Sequence, residues 1–304
     1  MVLLVAKPDY FLQSASKGLL LFATSVLPAI FPFFFCSTLL TAFGASAAVS
    51  SMGAKPVRVL FNAAPEGAYV LLLSLLSGYP IGAATIAELY KKGIIDTEQA
   101  KRISSFTSTS GPVFMLGTMG SAVFHDITCG ILIMAAHYAG AFVTGLIFRG
   151  KRKDGGNVMR LAVADTDDAV RQSISSSTLA MLAVGGYIVI GNMLIDALSL
   201  TGLPELICST LSPVAANTVL AFLYGAVEVT RGSMQAAAIP LPFLSVAAAT
   251  AAVSFGGFSV ILQSQTFLSV CKVRFSSLIA RKSVQCVTSF VFALIFSLIF
   301  FNIF

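Results

Sequence analysis

Two charged residues, Glu228 and Arg231, lie three positions apart inside a long apolar segment. In a helix this spacing puts both side chains on one face, where they can pair, and pairing lowers the cost of holding charge within a bilayer. A guanidinium offers a planar fork to an anion, while Glu228 would orient that fork or carry a coupling proton. The pattern predicts an anion site, and the alternative is a structural ion pair at the water boundary.

A run of four hydroxyl residues, 107–110, stands just before Gly111 and Pro112 in another apolar segment. Proline is tolerated in the first turn of a helix, and the free N–H groups of a helix start favour an anion or a polar edge. The run therefore predicts a ligand site at an interrupted helix. The alternative is that the hydroxyl groups only satisfy the backbone where the helix is broken.

Glycines mark two further interruptions. Gly78 follows Ser77 in a turn, where the missing side chain allows the backbone to approach a ligand closely, although packing explains such a glycine equally well. In the second half of the chain, residues 254–257 correspond to the hydroxyl run. Gln263 and Gln265 follow it and cannot share a helix face, so at most one of them is expected to face the site.

Asn192 and Asp196 are spaced for one helical face in a long apolar segment. They are predicted to line a cavity, unless Asp196 is close enough to the outer interface to be solvated. The predicted substrate-binding residues are Ser77, Gly78, Tyr79, Pro80, Thr109, Ser110, Gly111, Asn192, Glu228, Thr230, Arg231, Ser254, Gly256, Gly257 and Gln263.

Metal and enzyme chemistry find little support in the sequence. The five cysteines are scattered singly, and the two histidines are His125 and His137. Because metal sites need clustered thiolate and imidazole ligands, neither a metal nor a cofactor is expected. The sequence contains no phosphate-binding loop, no nucleophile elbow and no zinc-protease motif, and no nucleophile and base are visibly paired. The protein is therefore predicted not to be an enzyme.

The composition places these residues in a membrane protein. Apolar residues make up 57% of the 304 residues and charged residues 11%, against about 45–50% and about 25% in soluble domains. This excludes a cytosolic enzyme and a nucleic-acid binder, and makes the lipid bilayer the expected partner. The formal net charge of +6 is better explained by membrane topology, because cytoplasmic loops collect Lys and Arg.

Apolar segments of several kinds occur along the chain. A span needs about 20 apolar residues, and two shorter arms around a polar turn predict a re-entrant hairpin. The predicted elements are continuous spans at 18–45, 127–148, 173–200 and 283–304, interrupted spans at 103–124 and 239–270, and hairpins at 65–90 and 204–238.

The order span, hairpin, broken span, span occurs twice. Three spans in each half is an odd number and a hairpin returns to its own side, so the halves must be inverted. The predicted fold is an all-α polytopic membrane protein with two inverted repeats. The first repeat is 1–148, the hydrophilic cytoplasmic linker is 149–172 and the second repeat is 173–304.

The charges agree with this threading. It places every basic residue except Lys7, Lys17 and Arg231 on one face, which marks that face as cytoplasmic. Residues 96–102 and 272–282 are predicted to be interfacial pieces whose cations lie near anionic headgroups. Inverted repeats with broken helices are a recurring design of secondary transporters, so transport is the predicted function.

Short motifs in both halves resemble a known family. The chain resembles the YlbJ (SpoVV) family of sporulation integral membrane proteins, within the nucleoside-recognition or Gate-domain membrane proteins, over about residues 18–270. The motifs are 77–82, 88–93, 110–112 and 117–120 in the first half, and Gly225, Glu228, Thr230, Gly232 and 254–257 in the second.

The resemblance implies a fold similar to concentrative nucleoside transporters. It further implies transport of dipicolinic acid toward the forespore, across the mother-cell-derived membrane around it in a sporulating bacterium. Dipicolinate is a planar dicarboxylate, which would suit Arg231 and the ends of the broken helices. The alternatives are a carrier of nucleosides or other small solutes and a non-transporting scaffold for spore maturation. The sequence leaves open whether transport is coupled to an ion or a proton and whether the protein forms a homo-oligomer.

Overall fold

The computed structural model describes residues 2–150 and 166–303, and within these ranges the chain is helical with no strand. Of the predicted linker 149–172, residues 151–165 lie outside the described residues. The linker's second end is helical from Thr166 onward. The predicted all-α class is confirmed for the described part of the chain.

The first half consists of helices of different lengths and ends with its longest one. The elements are α1 Val2–Ala6, α2 Pro8–Leu21, the π-helix π1 Phe22–Val26, α3 Leu27–Ala42, α4 Ala45–Phe61, α5 Glu66–Ser77, α6 Ile81–Lys91, α7 Thr97–Phe106, the π-helix π2 Val113–Val123 and α8 Ile127–Ile147.

The second half repeats this order. Its elements are α9 Thr166–Ser199, α10 Leu203–Thr210, α11 Pro213–Val227, α12 Val229–Ala237, α13 Pro242–Phe255, α14 Gly257–Leu268 and α15 Phe275–Ile303. In both halves a long helix is followed by a peripheral one, then by two short helices joined by a tight turn, a helix pair interrupted at a break, and a final long helix. The inverted orientation of the halves stays a prediction.

Several helices are long and apolar enough to cross a membrane. Within the described ranges there are four, Ile127–Ile147, Thr166–Ser199, Pro242–Leu268 and Phe275–Phe301, and a fifth if a bent pair is counted as one span. That pair is Ile30–Ala42 with Ala45–Phe61, which meet at 89°. The chain is therefore a polytopic membrane protein by the length and composition of its helices.

The first predicted span, 18–45, differs from the observed helix at both ends. Helical structure already begins at Pro8, passes through π1 and ends at Ala42. Pro28 and Pro32 lack the N–H that an α-helix needs, and the wide π turn stands just before Pro28. The helix beyond the bend, α4, went unpredicted because its apolar residues alternate with serine, lysine and arginine.

The long helices pack as two close pairs. Along the first pair, a Cβ at Gly18 of α2 would lie 3.0 Å from the Cα of Val189 in α9. Along the second, Gly140 of α8 lies directly against Ser289 of α15. In each pair the first or last long helix of one half contacts its counterpart in the other half. The broken helices pack against these long helices: α7 and π2 contact α8, α13 contacts α8 and α15, and α14 contacts α9. Protein can therefore satisfy the backbone groups at the breaks.

The cations near the start of α15 are not at an interface. Arg281 is 8% exposed and Lys282 is 2% exposed. The predicted interfacial placement of residues 272–282 is therefore wrong for these two side chains. Sequence-based topology counts charges by their position along the chain, whereas burial depends on which helix packs against them.

The inverted topology predicts that Lys91 and Thr201, both exposed, lie on opposite sides of the membrane. In a background without the five native cysteines, an impermeant maleimide added to intact cells should label Thr201→Cys, and should label Lys91→Cys only after lysis. Arg149→Cys is the control, because the topology puts it on the side of Lys91. Labelling of Lys91→Cys and Thr201→Cys from the same side would contradict the inverted repeat.

Candidate binding site at the helix breaks

In the first half, the turn between α5 and α6 rests on the break between α7 and π2. Gly78, in this turn, has a φ of 83°, in the left-handed region that favours glycine. A Cβ at Gly78 would collide with the backbone nitrogen of Gly111, and a Cβ at Gly111 would lie 2.9 Å from the carbonyl carbon of Ser77. The two backbones can touch because neither glycine has a side chain.

The second half repeats this contact between a turn and a break. A Cβ at Gly257, the first residue of α14, would lie 2.8 Å from the carbonyl oxygen of Val227 and 3.0 Å from the backbone nitrogen of Glu228. The arms α11 and α12 cross where the backbones of Gly225 and Gly232 touch. Each hairpin turn is therefore seated on the helix break of its own half.

His137, in α8, joins the two breaks. Its Nε2 accepts the backbone N–H of Ser110 at 2.9 Å, and its Nδ1 lies 2.8 Å from Oγ of Ser254. Because a backbone N–H can only donate, Nε2 carries no proton, so Nδ1 carries it and donates to Ser254. The side chain is fully buried. A neutral imidazole thus connects the α7–π2 break to the end of α13.

Two tyrosines add hydrogen bonds between the same elements. The hydroxyl of Tyr79 donates to the carbonyl of Val253 at 2.6 Å, which links the first hairpin turn to the second broken helix. The hydroxyl of Tyr138 lies 3.0 Å from the carbonyl of Leu75 and 3.3 Å from that of Ser110. Carbonyl groups freed at a turn and a break therefore find donors inside the protein.

Glu228 caps the N-terminus of α12. One carboxylate oxygen accepts the backbone N–H of Thr230 at 3.0 Å, and the other accepts that of Arg231 at 2.8 Å. Glu228 is 2% exposed. A carboxylate at a helix N-terminus is stabilised by the free N–H groups and by the helix dipole.

The expected ion pair between Glu228 and Arg231 is not formed. Nη2 of Arg231 instead lies 3.2 Å from a carboxylate oxygen of Asp196 in α9, and these side chains are 33% and 13% exposed. Residues 228–231 are a helix start, where the Glu228 side chain turns back to the backbone. Asp196 was predicted either to line a cavity or to be solvated at the outer interface. It forms an ion pair with Arg231.

A cavity of about 150 Å³ lies where the turns and breaks of both halves meet. Its walls are largely apolar and include Ile30, Phe33, Phe114 and Val184. This volume would hold roughly ten ordered waters. The predicted binding residues that line it are Ser77, Tyr79, Ser110, Gly111, Glu228, Thr230 and Gln263.

The other predicted residues support the site without lining this cavity. The hydroxyl of Thr109 donates to the carbonyl of Ser74, and the amide of Asn192 donates to the carbonyl of Ile188 in its own helix. Gly78, Pro80, Ser254, Gly256 and Gly257 form the turn and the break. Gln265 donates to the carbonyl of Val273, so Gln263 is the one glutamine of the two that faces the cavity.

A second cavity of about 330 Å³ lies between α3, α6 and α9. Thr38, Lys91 and Ser173 are among its polar lining residues. Phe34 and Phe267 also line it, with ring centroids 6.2 Å apart.

Sequence reasoning missed two residues of this site. His137 was considered only as a metal ligand, although a single histidine in an apolar helix beside another broken helix signals a hydrogen-bonding role. Lys282 was assigned to an interface, yet its Nζ donates to the carbonyl of Ser108 at 3.3 Å and lies 5.1 Å from the ring centroid of Tyr79. In residues 2–150 and 166–303, no group of three or more His, Cys, Asp or Glu side chains could hold a metal ion.

Long apolar helices around two interrupted helix pairs define a polytopic membrane protein with an internal polar site. The chain is similar to the sporulation integral membrane protein YlbJ of Bacillus subtilis (strain 168), with 27% identity in an alignment of 320 positions that covers 96% of this chain and 78% of that protein. This relative confirms the predicted resemblance to YlbJ. The wider resemblance to nucleoside-recognition or Gate-domain membrane proteins stays a prediction. No protein-family model and no solved structure matches the chain.

Gly78→Ala should lower the thermal stability of the protein more than Gly93→Ala does. Both glycines have positive φ, so each alanine carries a backbone cost of about 1–3 kcal/mol. A Cβ at Gly93 would meet no atom within 4 Å, whereas a Cβ at Gly78 would collide with the break. The thermal unfolding midpoint in detergent measures the difference. Equal midpoints would mean that the contact between turn and break is not tight.

Ser254→Ala should lower the free energy of unfolding by about 1–3 kcal/mol, because it leaves the Nδ1–H of His137 buried without an acceptor. Thermal or denaturant unfolding in detergent measures this loss. Ser209→Ala is the control, since Ser209 is exposed and bonds only within its own helix. A loss no larger than that of the control would contradict the bridging role of His137.

Proposed function

We propose that this protein is a secondary transporter of a small organic anion rather than an enzyme, and that the anion is dipicolinic acid moved toward the forespore. The observation that carries the proposal is the position of the central cavity. Residues of both turns and both broken helices line it, so a bound solute would contact both halves of the protein at once. Such placement of a site at discontinuous helices is typical of secondary transporters.

The helix ends around the cavity suit an anion. Helices α6, π2, α12 and α14 begin at the two turns and the two breaks. The N-terminus of a helix carries free N–H groups and a partial positive charge, which favour a carboxylate. The matching C-termini of α5, α7, α11 and α13 end at the same places and would favour a cation or a proton. This pairing supports co-transport of an anion with a positive ion.

Glu228 is the proposed site of that coupling ion or proton. It is the one carboxylate among the described residues that line the central cavity, and two backbone N–H groups hold its oxygens. A buried carboxylate facing an anionic substrate would repel it unless a proton or cation balances the charge. Arg231, paired with Asp196, would act by fixing the start of α12 rather than by contact with the solute.

Dipicolinate fits the chemistry of the walls. It is a flat aromatic ring with a carboxylate on either side of the ring nitrogen. The apolar and aromatic walls would pack against the ring, while Ser110, Thr230 and Gln263 offer donors to its oxygens. A sporulating bacterium is supported by the name of the relative, which is a sporulation integral membrane protein. The membrane around the forespore is the location that this role requires.

A nucleoside is the second candidate for the solute. No described residue of the central cavity lining is a cation, and the amide of Gln263 with the hydroxyls of Thr230 and Ser259 would suit a base and a sugar equally well. From a different class, a membrane scaffold for spore maturation would need no solute at all.

Uptake into proteoliposomes tests these candidates. Radiolabelled pyridine-2,6-dicarboxylate should enter saturably, with little competition from uridine, and Glu228→Gln should reduce uptake at least about tenfold by removing the coupling charge. Glu205→Gln is the matched control, because Glu205 is exposed on α10.

Each alternative gives a different result in this assay. Saturable uridine uptake without dicarboxylate uptake would replace dipicolinate by a nucleoside. Uptake of neither solute, with Arg231→Ala and Ser110→Ala leaving sporulation intact, would favour the scaffold. An active transporter in which Glu228→Gln matches Glu205→Gln would refute the coupling role of Glu228.

A further inference from the structure

Two neighbouring cations of α15, Arg281 and Lys282, are buried beside the end of α7. Nζ of Lys282 donates to the carbonyl of Ser108 at 3.3 Å and to Oε1 of Gln285 at 3.1 Å. Nη1 of Arg281 donates to Oγ of Ser104 at 3.2 Å. Both charges therefore point to the same stretch of the first broken helix.

Neither cation forms an ion pair in the part of the chain that the structure describes, and Glu98, which acts on Arg281 at longer range, is paired with Lys101. The ion pairs found there join other residues. A buried charge without a counter-ion is costly, and neutral hydrogen-bond acceptors offset that cost only in part. The rings of Tyr79 and Phe148, 5.1 Å and 5.6 Å from the two cationic groups, add weak attraction.

The cluster also has more donors than acceptors. Nε of Arg281 and Nε2 of Gln285 are buried and have no hydrogen-bond partner. Gln285 is 2% exposed, and its side-chain carbonyl oxygen already accepts a hydrogen bond from Lys282. Buried donors are almost always satisfied in native proteins, and an acceptor-rich anion would satisfy these.

A small chamber lies next to the cluster. Its volume is about 10 Å³, which is room for one water, and its lining includes Ser104 and Ser108, whose oxygens accept from Arg281 and Lys282. The two cations themselves do not line it. Tyr79 lines both this chamber and the central cavity, so it is a wall residue common to the two spaces.

We propose that Arg281 and Lys282 form a second anion site, which receives a carboxylate of a small aromatic dicarboxylate from the central cavity when Tyr79 moves aside. This inference rests on the proposed function, because it supplies the positive charge that the central cavity lining lacks. The solute would leave Ser110 and Thr230 and meet two cations with free donors. A dianion would thus bind at this second site during transport, whereas a neutral solute would not.

Binding to purified protein tests the second site with a charged and a neutral probe. The probes are pyridine-2,6-dicarboxylate and pyridine-2,6-dicarboxamide, which share the ring and differ in charge. Lys282→Met keeps the length of the side chain and removes its charge, and should weaken binding of the dicarboxylate about tenfold to a hundredfold, since a hydrogen bond to a charged group is lost. Binding of the dicarboxamide should stay within about threefold.

Matched variants keep the result clear. Lys17→Met removes an exposed cation and should change neither probe. Lys282→Arg keeps the charge and should retain dicarboxylate binding within about threefold. Arg281→Gln removes the second cation and gives an independent measurement if Lys282→Met does not fold, as judged by its thermal unfolding.

The outcomes separate this inference from the proposed function. Wild-type protein that binds neither probe would refute anion transport itself. Wild-type protein that binds the dicarboxylate, together with Lys282→Met and Arg281→Gln variants that bind it equally well, would leave transport standing and refute the second site. Equal weakening of both probes would assign Lys282 a structural role only.

Discussion

The fold depends on satisfying the backbone at two broken helices that lie inside the protein. A helix interrupted within a membrane exposes N–H and carbonyl groups that lipid cannot satisfy, each at a cost of several kcal/mol. His137 accepts one such N–H, from Ser110, and donates to the helix end at Ser254. This bridge works in one tautomer of a neutral ring. The two halves are thereby held at a fixed distance, and the cavity exists between them.

Much of the site could be predicted from glycine, proline and hydroxyl clusters, because helix breaks are local events. Ser77, Tyr79, Ser110, Glu228 and Gln263 all line the central cavity, while their binding of a substrate stays a prediction. The π-helical segments and the peripheral helix α4 went unpredicted, since an amphipathic surface helix and a widened turn leave weak signals in an apolar sequence. The peripheral helix α10 was assigned to the hairpin at 204–238, whose two arms are in fact Pro213–Val227 and Val229–Ala237. The repeat of element types was visible in the sequence because each half carries its own breaks.

Long-range partners were beyond local reasoning. Arg231 was expected to pair with Glu228, three residues before it. It pairs instead with Asp196, which belongs to a different helix, α9. The carboxylate of Glu228 accepts the backbone N–H groups at the start of α12 and does not pair with the Arg231 guanidinium. Lys282 was counted as a surface cation because its neighbours in the chain are basic, yet helix packing buries it beside Tyr79. Charge counts predict orientation across the bilayer, but the burial of each charge depends on tertiary contacts.

The two π-helical segments share a location. Leu21 directly precedes π1 and Val26 is its last residue, while Val113 and Thr118 belong to π2. All four residues line the central cavity. A π turn holds about one residue more than an α turn, and such turns are rare and occur frequently at functional sites. Both segments therefore present side chains to the cavity at a spacing that a regular α-helix of the same length would not provide.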